Sequence, residues 1–250
     1  MAPTQSGAAA GRPGEPRPPA HRDALTVSPN PGSDDDSREA ARSSGPASGF
    51  GQTPPEHRFP WYVRLFFRNQ HRRYGQVLEP ARLWGRSPKV FAALALLYGA
   101  LDRRSSPLEP ALRSLVTVRV SQINWCAFCV DINSATMLRR GVAQEKLMAL
   151  DRFESSPLFS SREKAALAYA EAITFSDRRA TPEHFTRLRA HFDDDAIIEL
   201  TALVAFQNLS SKFNAALGVE PQGFCAVAPN PGPPVNAGDG RSRGESEKQG

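Results

Sequence analysis

The sequence predicts an all-α domain flanked by two tails of biased composition. Three observations carry the prediction. Ser87-Pro88, Ser106-Pro107 and Thr181-Pro182 each place a capping hydroxyl before a proline, whose missing N–H is harmless in a first helical turn. Ser160 and Glu163 have the spacing of a capping box. No run alternates apolar and polar residues with period two, and no hairpin turn pair interrupts the chain.

Residues 1–56 are rich in Pro, Gly, Ala and Ser and poor in large apolar side chains. Such a segment cannot bury enough surface to offset its ordering entropy, so a disordered tail is expected, and likewise for 226–250. The helical domain then spans 57–225. Its first helix, Trp61 to Tyr74, carries Trp61, Leu65 and Phe66 at helical spacing, with Arg64, Arg68, Arg72 and Arg73 largely elsewhere. The aromatic side is expected against the domain itself or a second subunit. The helix from Pro88 to about Asp102 is apolar on most sides and is expected to be buried.

Ser106-Pro107 should start a helix running to about Ile123. Its Val116, Val118 and Val120 would also suit a strand, and length and caps decide for helix. A further helix follows Cys129 and stops at Gly141. Short or medium helices are predicted for Gln144 to Arg152, Ser160 to Thr174 and Thr181 to about His191. The last and longest is capped by Asp193-Asp194-Asp195 and ends near Gly218.

Composition excludes several function classes. A formal charge of +5 comes with scattered arginines and no nucleic-acid-binding motif, so no nucleic-acid partner is expected. The most apolar run, Val90 to Leu101, is about half the roughly 20 residues that a membrane-spanning helix needs. No secretory or transit signature is seen, and the expected location is the cytoplasm. Three cysteines are too few for a secreted disulfide framework and suit a reducing compartment. No phosphate-cradling glycine loop or dinucleotide fingerprint appears, so no bound cofactor is expected. No metal site is expected either: there is no second CxxC, and His184 and His191 read as surface or cap residues.

The chemistry-bearing stretch is Asn124-Trp125-Cys126-Ala127-Phe128-Cys129-Val130-Asp131. Cysteines three apart can close a small disulfide ring. At the start of a helix, the partial positive charge of the N-terminus favours thiolate, the form that attacks peroxides and disulfides. Cysteine is equally a small apolar core residue, and one CxxC can be half a metal site, so spacing by itself leaves these readings open. Asn133 shares the helical face of Cys129, Asp131 points elsewhere, and Ser114 lies twelve residues before Cys126 on the preceding helix.

The run from Leu112 to Asp131, continued by Asn133-Ser134-Ala135 and Arg140-Gly141-Val142, resembles the carboxymuconolactone decarboxylase / AhpD-like alkylhydroperoxidase family. Phe213 to Val219 is similar to C-terminal parts of such proteins. The resemblance implies an all-α fold that forms homo-oligomers, trimers or hexamers. It implies a hydroperoxide or disulfide substrate, with Cys129 as the peroxidatic thiol, Cys126 as the resolving one and an external dithiol as reductant. Two positions depart from the hydroperoxidase branch, where a histidine stands in place of Asn133 and a glutamate in place of Ser114. Asparagine cannot act as a general base near neutral pH, though it can donate a hydrogen bond to a thiolate or oxyanion. Asn133 and Ser114 are expected to line the site in place of that proton relay. The rival readings are a non-catalytic oligomeric scaffold of the same fold, and a small-acid lyase, for which no acid/base pair can be identified.

Overall fold

The computed structural model describes residues 57–229, so the expected tail 1–56 and all but the first four residues of 226–250 lie outside the described residues. Among the described residues every regular element is helical. The chain runs through α1 (Trp61–Tyr74), α2 (Glu79–Gly85), α3 (Pro88–Leu101), α4 (Pro110–Ile123) and α5 (Ala127–Arg139). It continues with α6 (Gln144–Met148), a 3₁₀ turn (Leu150–Arg152), α7 (Ser161–Ala172), α8 (Pro182–Arg189) and α9 (Asp194–Ala216).

The core is built around α4, which packs against α5, α7 and α9. Its Leu115, Val116, Val118 and Val120 are fully buried. Burying one such side chain is worth about 1.5–3 kcal/mol, whereas valine's helix propensity falls short of alanine's by less than about 0.7 kcal/mol. Burial therefore outweighs the β-branched preference for strand.

The helix begins at Pro110, not at Ser106-Pro107 as expected. A helix started at Pro107 would need the N–H of residue 110 for its first i→i−4 bond, and proline has none. Ser106 instead closes a turn, accepting the Leu108 N–H at 3.2 Å and donating to Glu199 at 2.8 Å. That turn seats the buried Leu108 in the core.

The other start signals hold. Ser160 and Glu163 form the reciprocal capping box, and the Asp193 carboxylate accepts the Ala196 N–H at 2.8 Å. His184 caps α8 by accepting the Thr181 N–H through Nδ1. Gly141 and Gly218 take positive φ just beyond α5 and α9.

Two further expectations need correction, and that for α1 is met in part. In α1 the buried residues are Val63, Phe67 and Gln70, and Phe66 of the expected aromatic side packs edge-on against Phe91, while Trp61 is 75% exposed and Leu65 half exposed in the single chain. The inward face is the one that meets Phe91 and Phe59 through edge-on rings. In α3 only Phe91 and Leu101 are buried, and Leu96 is 76% exposed. This helix flanks the bundle and packs on α1, α2 and α9, so one chain cannot cover its outer face. The stretch from Gln144 to Arg152 breaks at Ala149 into α6 and the 3₁₀ turn. The helix α2 was not foreseen, because seven residues are too few to show a period. No helix among the described residues is long and apolar enough to cross a membrane.

Candidate redox site at the start of α5

The link from α4 to α5 aims the cysteines. Asn124 donates to the Val120 carbonyl and to Asn208 on α9 at 2.9 Å, which ties the end of α4 to the last helix. Trp125 follows with φ of 51°, a left-handed conformation that costs a non-glycine residue about 1–3 kcal/mol and persists only where the surroundings dictate it. Here the Cys126 N–H reaches back to the Ser121 carbonyl at 3.1 Å, and Cys126 becomes the N-cap of α5. Its sulfur accepts the Cys129 N–H at 3.2 Å. Cys126 and Cys129, with Cα atoms 5.2 Å apart, are joined as a disulfide.

Both cysteines are almost wholly buried, in a small apolar cluster with Leu83, Phe128 and Val219. They differ in access. A cavity of about 390 Å³ has Cys129 in its wall but not Cys126. Aromatic rings of Phe66, Tyr74, Trp84, Phe91 and Phe206 line much of the remainder. A more open depression of about 930 Å³ near α7 and α8 contains neither cysteine, and its Arg119, Arg178 and Arg187 are already paired with Glu171 or Glu154. The smaller cavity, which Cys129 lines, is therefore the candidate site.

Of the expected supporting residues, Asn133 lies in the same cavity as Cys129. Its amide donates to Ser121 Oγ at 3.1 Å, and Gln207 donates to the same oxygen, so the Asn133 amide is engaged in a neutral network. Ser114 is not brought to the thiols. Its hydroxyl accepts from Arg140 at 3.1 Å, and Arg140 grips both oxygens of Asp102 at 2.7 and 2.8 Å. Arg113, buried beside them, also pairs with Asp102; burial pushes its guanidinium pKa down and the Asp102 charge works against that shift. Half of the Tyr98 surface is exposed, but burial of its hydroxyl, and then the Asp102 charge, push the phenol above its ordinary value.

Two residues at the site escaped the sequence reading. Asn214, on α9 and 1% exposed, donates its Nδ2 to Cys129 Sγ at 3.2 Å. Asp131, also buried, accepts the backbone N–H groups of Gln222 at 2.9 Å and Cys225 at 2.7 Å. Gln222 in turn accepts the Glu79 N–H, so Asp131 clamps the segment after α9 across the cysteine cluster. Asn214 sits in the quoted Phe213 to Val219 run, a polar residue in an apolar stretch. For Asp131 the available signal was a carboxylate on a helix otherwise poor in acids.

Residues 88–172, from α3 through α7, match the profile of the Carboxymuconolactone decarboxylase family. The chain is 43% identical over 174 residues to YnjA, an uncharacterised protein of Escherichia coli K12, covering 70% of this chain and 96% of YnjA. Among solved structures, it is similar to an alkylhydroperoxidase AhpD core, an uncharacterised peroxidase-related protein from Ralstonia eutropha JMP134. That likeness has a TM-score of 0.61 at 22% identity and covers 71% of this chain and 96% of the other. The debrominase Bmp8 gives a TM-score of 0.59 at 24% identity, covering 65% of this chain and 87% of the other. At those identities the two structures establish the fold alone. With a relative matched over nearly its whole length and the family's profile laid over the helices that carry the cysteines, the chain belongs to the carboxymuconolactone decarboxylase family and has its AhpD-like fold.

Proposed function

We propose that the protein is a thiol-dependent oxidoreductase of peroxidase type, cycling Cys126 and Cys129 between dithiol and disulfide. The observation that carries this reading is the asymmetry of access: Cys129 faces the cavity, and Cys126 stands behind it within bonding reach. Cys129 thiolate attacks the terminal oxygen of a hydroperoxide ROOH, giving Cys129–SOH and RO⁻, which water protonates. Cys126–SH then condenses with the sulfenic acid, forming the disulfide and releasing water. An external dithiol reduces the pair by exchange and leaves as its own disulfide.

No histidine or carboxylate serves as base at Asn133 or Ser114. The start of α5 and the Asn214 N–H, which point at the sulfurs, support the thiolate instead. A cavity walled by aromatic rings favours an organic hydroperoxide over hydrogen peroxide. The uncovered apolar face of α3, with Val90, Leu96 and Leu97, supports assembly into a homo-oligomer, a trimer or hexamer.

The test treats fully reduced protein with one equivalent of cumene hydroperoxide and follows it by differential alkylation and mass spectrometry. Cys126 and Cys129 should become protected together while Cys225 stays alkylatable, and a dithiol should restore both. A protein that leaves all three thiols free would exclude the reading. A scaffold of the same fold is the alternative that the missing relay favours, and it predicts that Cys129→Ser leaves cellular behaviour unchanged.

A further inference from the structure

Asn214 does more than cover the disulfide. Its side chain is 1% exposed and lines the cavity that holds Cys129. Its Nδ2 donates to Cys129 Sγ at 3.2 Å, and its Oδ1 is buried with no hydrogen-bond partner. A disulfide is a poor match for such an amide: its sulfurs are weak acceptors and carry no proton to give. A buried carbonyl without a partner is a group that folded proteins avoid.

Reduction changes the match. The pair takes up two electrons and two protons from a dithiol, which leaves as a disulfide, and Cys129 then gives its proton to water and stands as the thiolate. A thiolate takes a charge-assisted bond from Nδ2. The thiolate therefore pairs with Asn214 better than the disulfide does, and a group that interacts more strongly with one state shifts the equilibrium toward it.

We propose that Asn214 is a positioning residue that tunes the Cys126/Cys129 couple toward the dithiol, making the pair the more oxidising. Being a neutral amide, it does so without titrating. The inference rests on the reading that this pair cycles.

The experiment equilibrates full-length wild type, Asn214→Leu and Asn214→Asp in mixtures of reduced and oxidised dithiothreitol at pH 7. The reduced fraction of Cys126 and Cys129 is then counted by alkylation and mass spectrometry. Asn214→Leu should move the equilibrium about tenfold toward the disulfide, or about 30 mV more negative. Asn214→Asp keeps the shape of asparagine, so it reports even if the leucine variant does not fold. It loses the donor and sets a charge against the thiolate, and should shift the same way. Wild-type ratios in the variants, or a shift toward the dithiol, overturn the proposal. A wild-type pair that forms no disulfide at any ratio overturns the redox reading itself, and the two failures are thereby told apart.

Discussion

Removing the Asp131 carboxylate should release the segment after α9 without unfolding the bundle. Asp131 accepts two backbone N–H groups, from Gln222 at 2.9 Å and Cys225 at 2.7 Å, in a site where its own exposure is 3%. A hydrogen bond to a charged group is worth about 1.5–3 kcal/mol net. Since about 1.4 kcal/mol is a factor of ten, each amide should exchange its hydrogen roughly ten to a hundred times faster in Asp131→Ala. The thermal midpoint should fall less, because the segment can peel away and hydrate its amides while the α4-centred core stays packed. Asp131→Asn keeps one acceptor and turns an NH₂ toward the other amide, so one of the two should accelerate much more than the other. Val219 and Phe224 cover the cysteine cluster from this segment, so reduced Cys129 should also alkylate faster. The assay is native-state hydrogen exchange resolved at Gln222 and Cys225, with thiol alkylation alongside. Unchanged exchange at both amides in Asp131→Ala would refute the clamp.

The core and its edges give further expectations. Met137→Ala, at a fully buried position on α5, should destabilise by about 2–5 kcal/mol in urea unfolding. Trp125→Gly should be close to neutral because glycine accepts φ of 51° at the cost of the half-exposed indole's contacts, whereas Trp125→Val adds β-branched crowding to the strain Trp125 already bears and should lose about 1 kcal/mol; the urea midpoint separates them. Glu199 is partly desolvated, which raises its pKa, but hydrogen bonds from Arg103 and Ser106 overcome this and hold it below the ordinary value of 4.5. A depressed folded pKa contributes stability above the unfolded value that is lost as pH falls through the folded one. Glu199→Gln should therefore lower stability at pH 7 and flatten the loss below about pH 4.5, read from urea midpoints across that range.

Helix starts were legible because caps are local chemistry: Ser160, Thr181 and Asp193 each act within three residues of themselves. The cysteine pair was legible for the same reason, as was the placement of Asn133 on the Cys129 face. What sequence reading missed is set by contacts between distant segments. Asn214 meets Cys129 from 85 residues away, and Cys225 meets Asp131 from 94. Ser114 shows the converse: its position relative to Cys126 suggested a place at the sulfurs, but Arg140 and Asp102 claim its hydroxyl. The apolar side of α3 was read as buried because a pattern reports that a face is apolar and not what covers it. The start of α4 was misplaced because Ser106-Pro107 has the local form of a cap, while the second proline, Pro110, decides where the ladder can begin.

One trapping experiment tests directly the proposal that Cys129 meets the oxidant and Cys126 resolves it. Reduced Cys126→Ser protein treated with cumene hydroperoxide and dimedone should carry the sulfenic-acid adduct on Cys129, because that sulfur lies in the cavity wall. An adduct on Cys225 alone, or none while the variant remains folded, would contradict it.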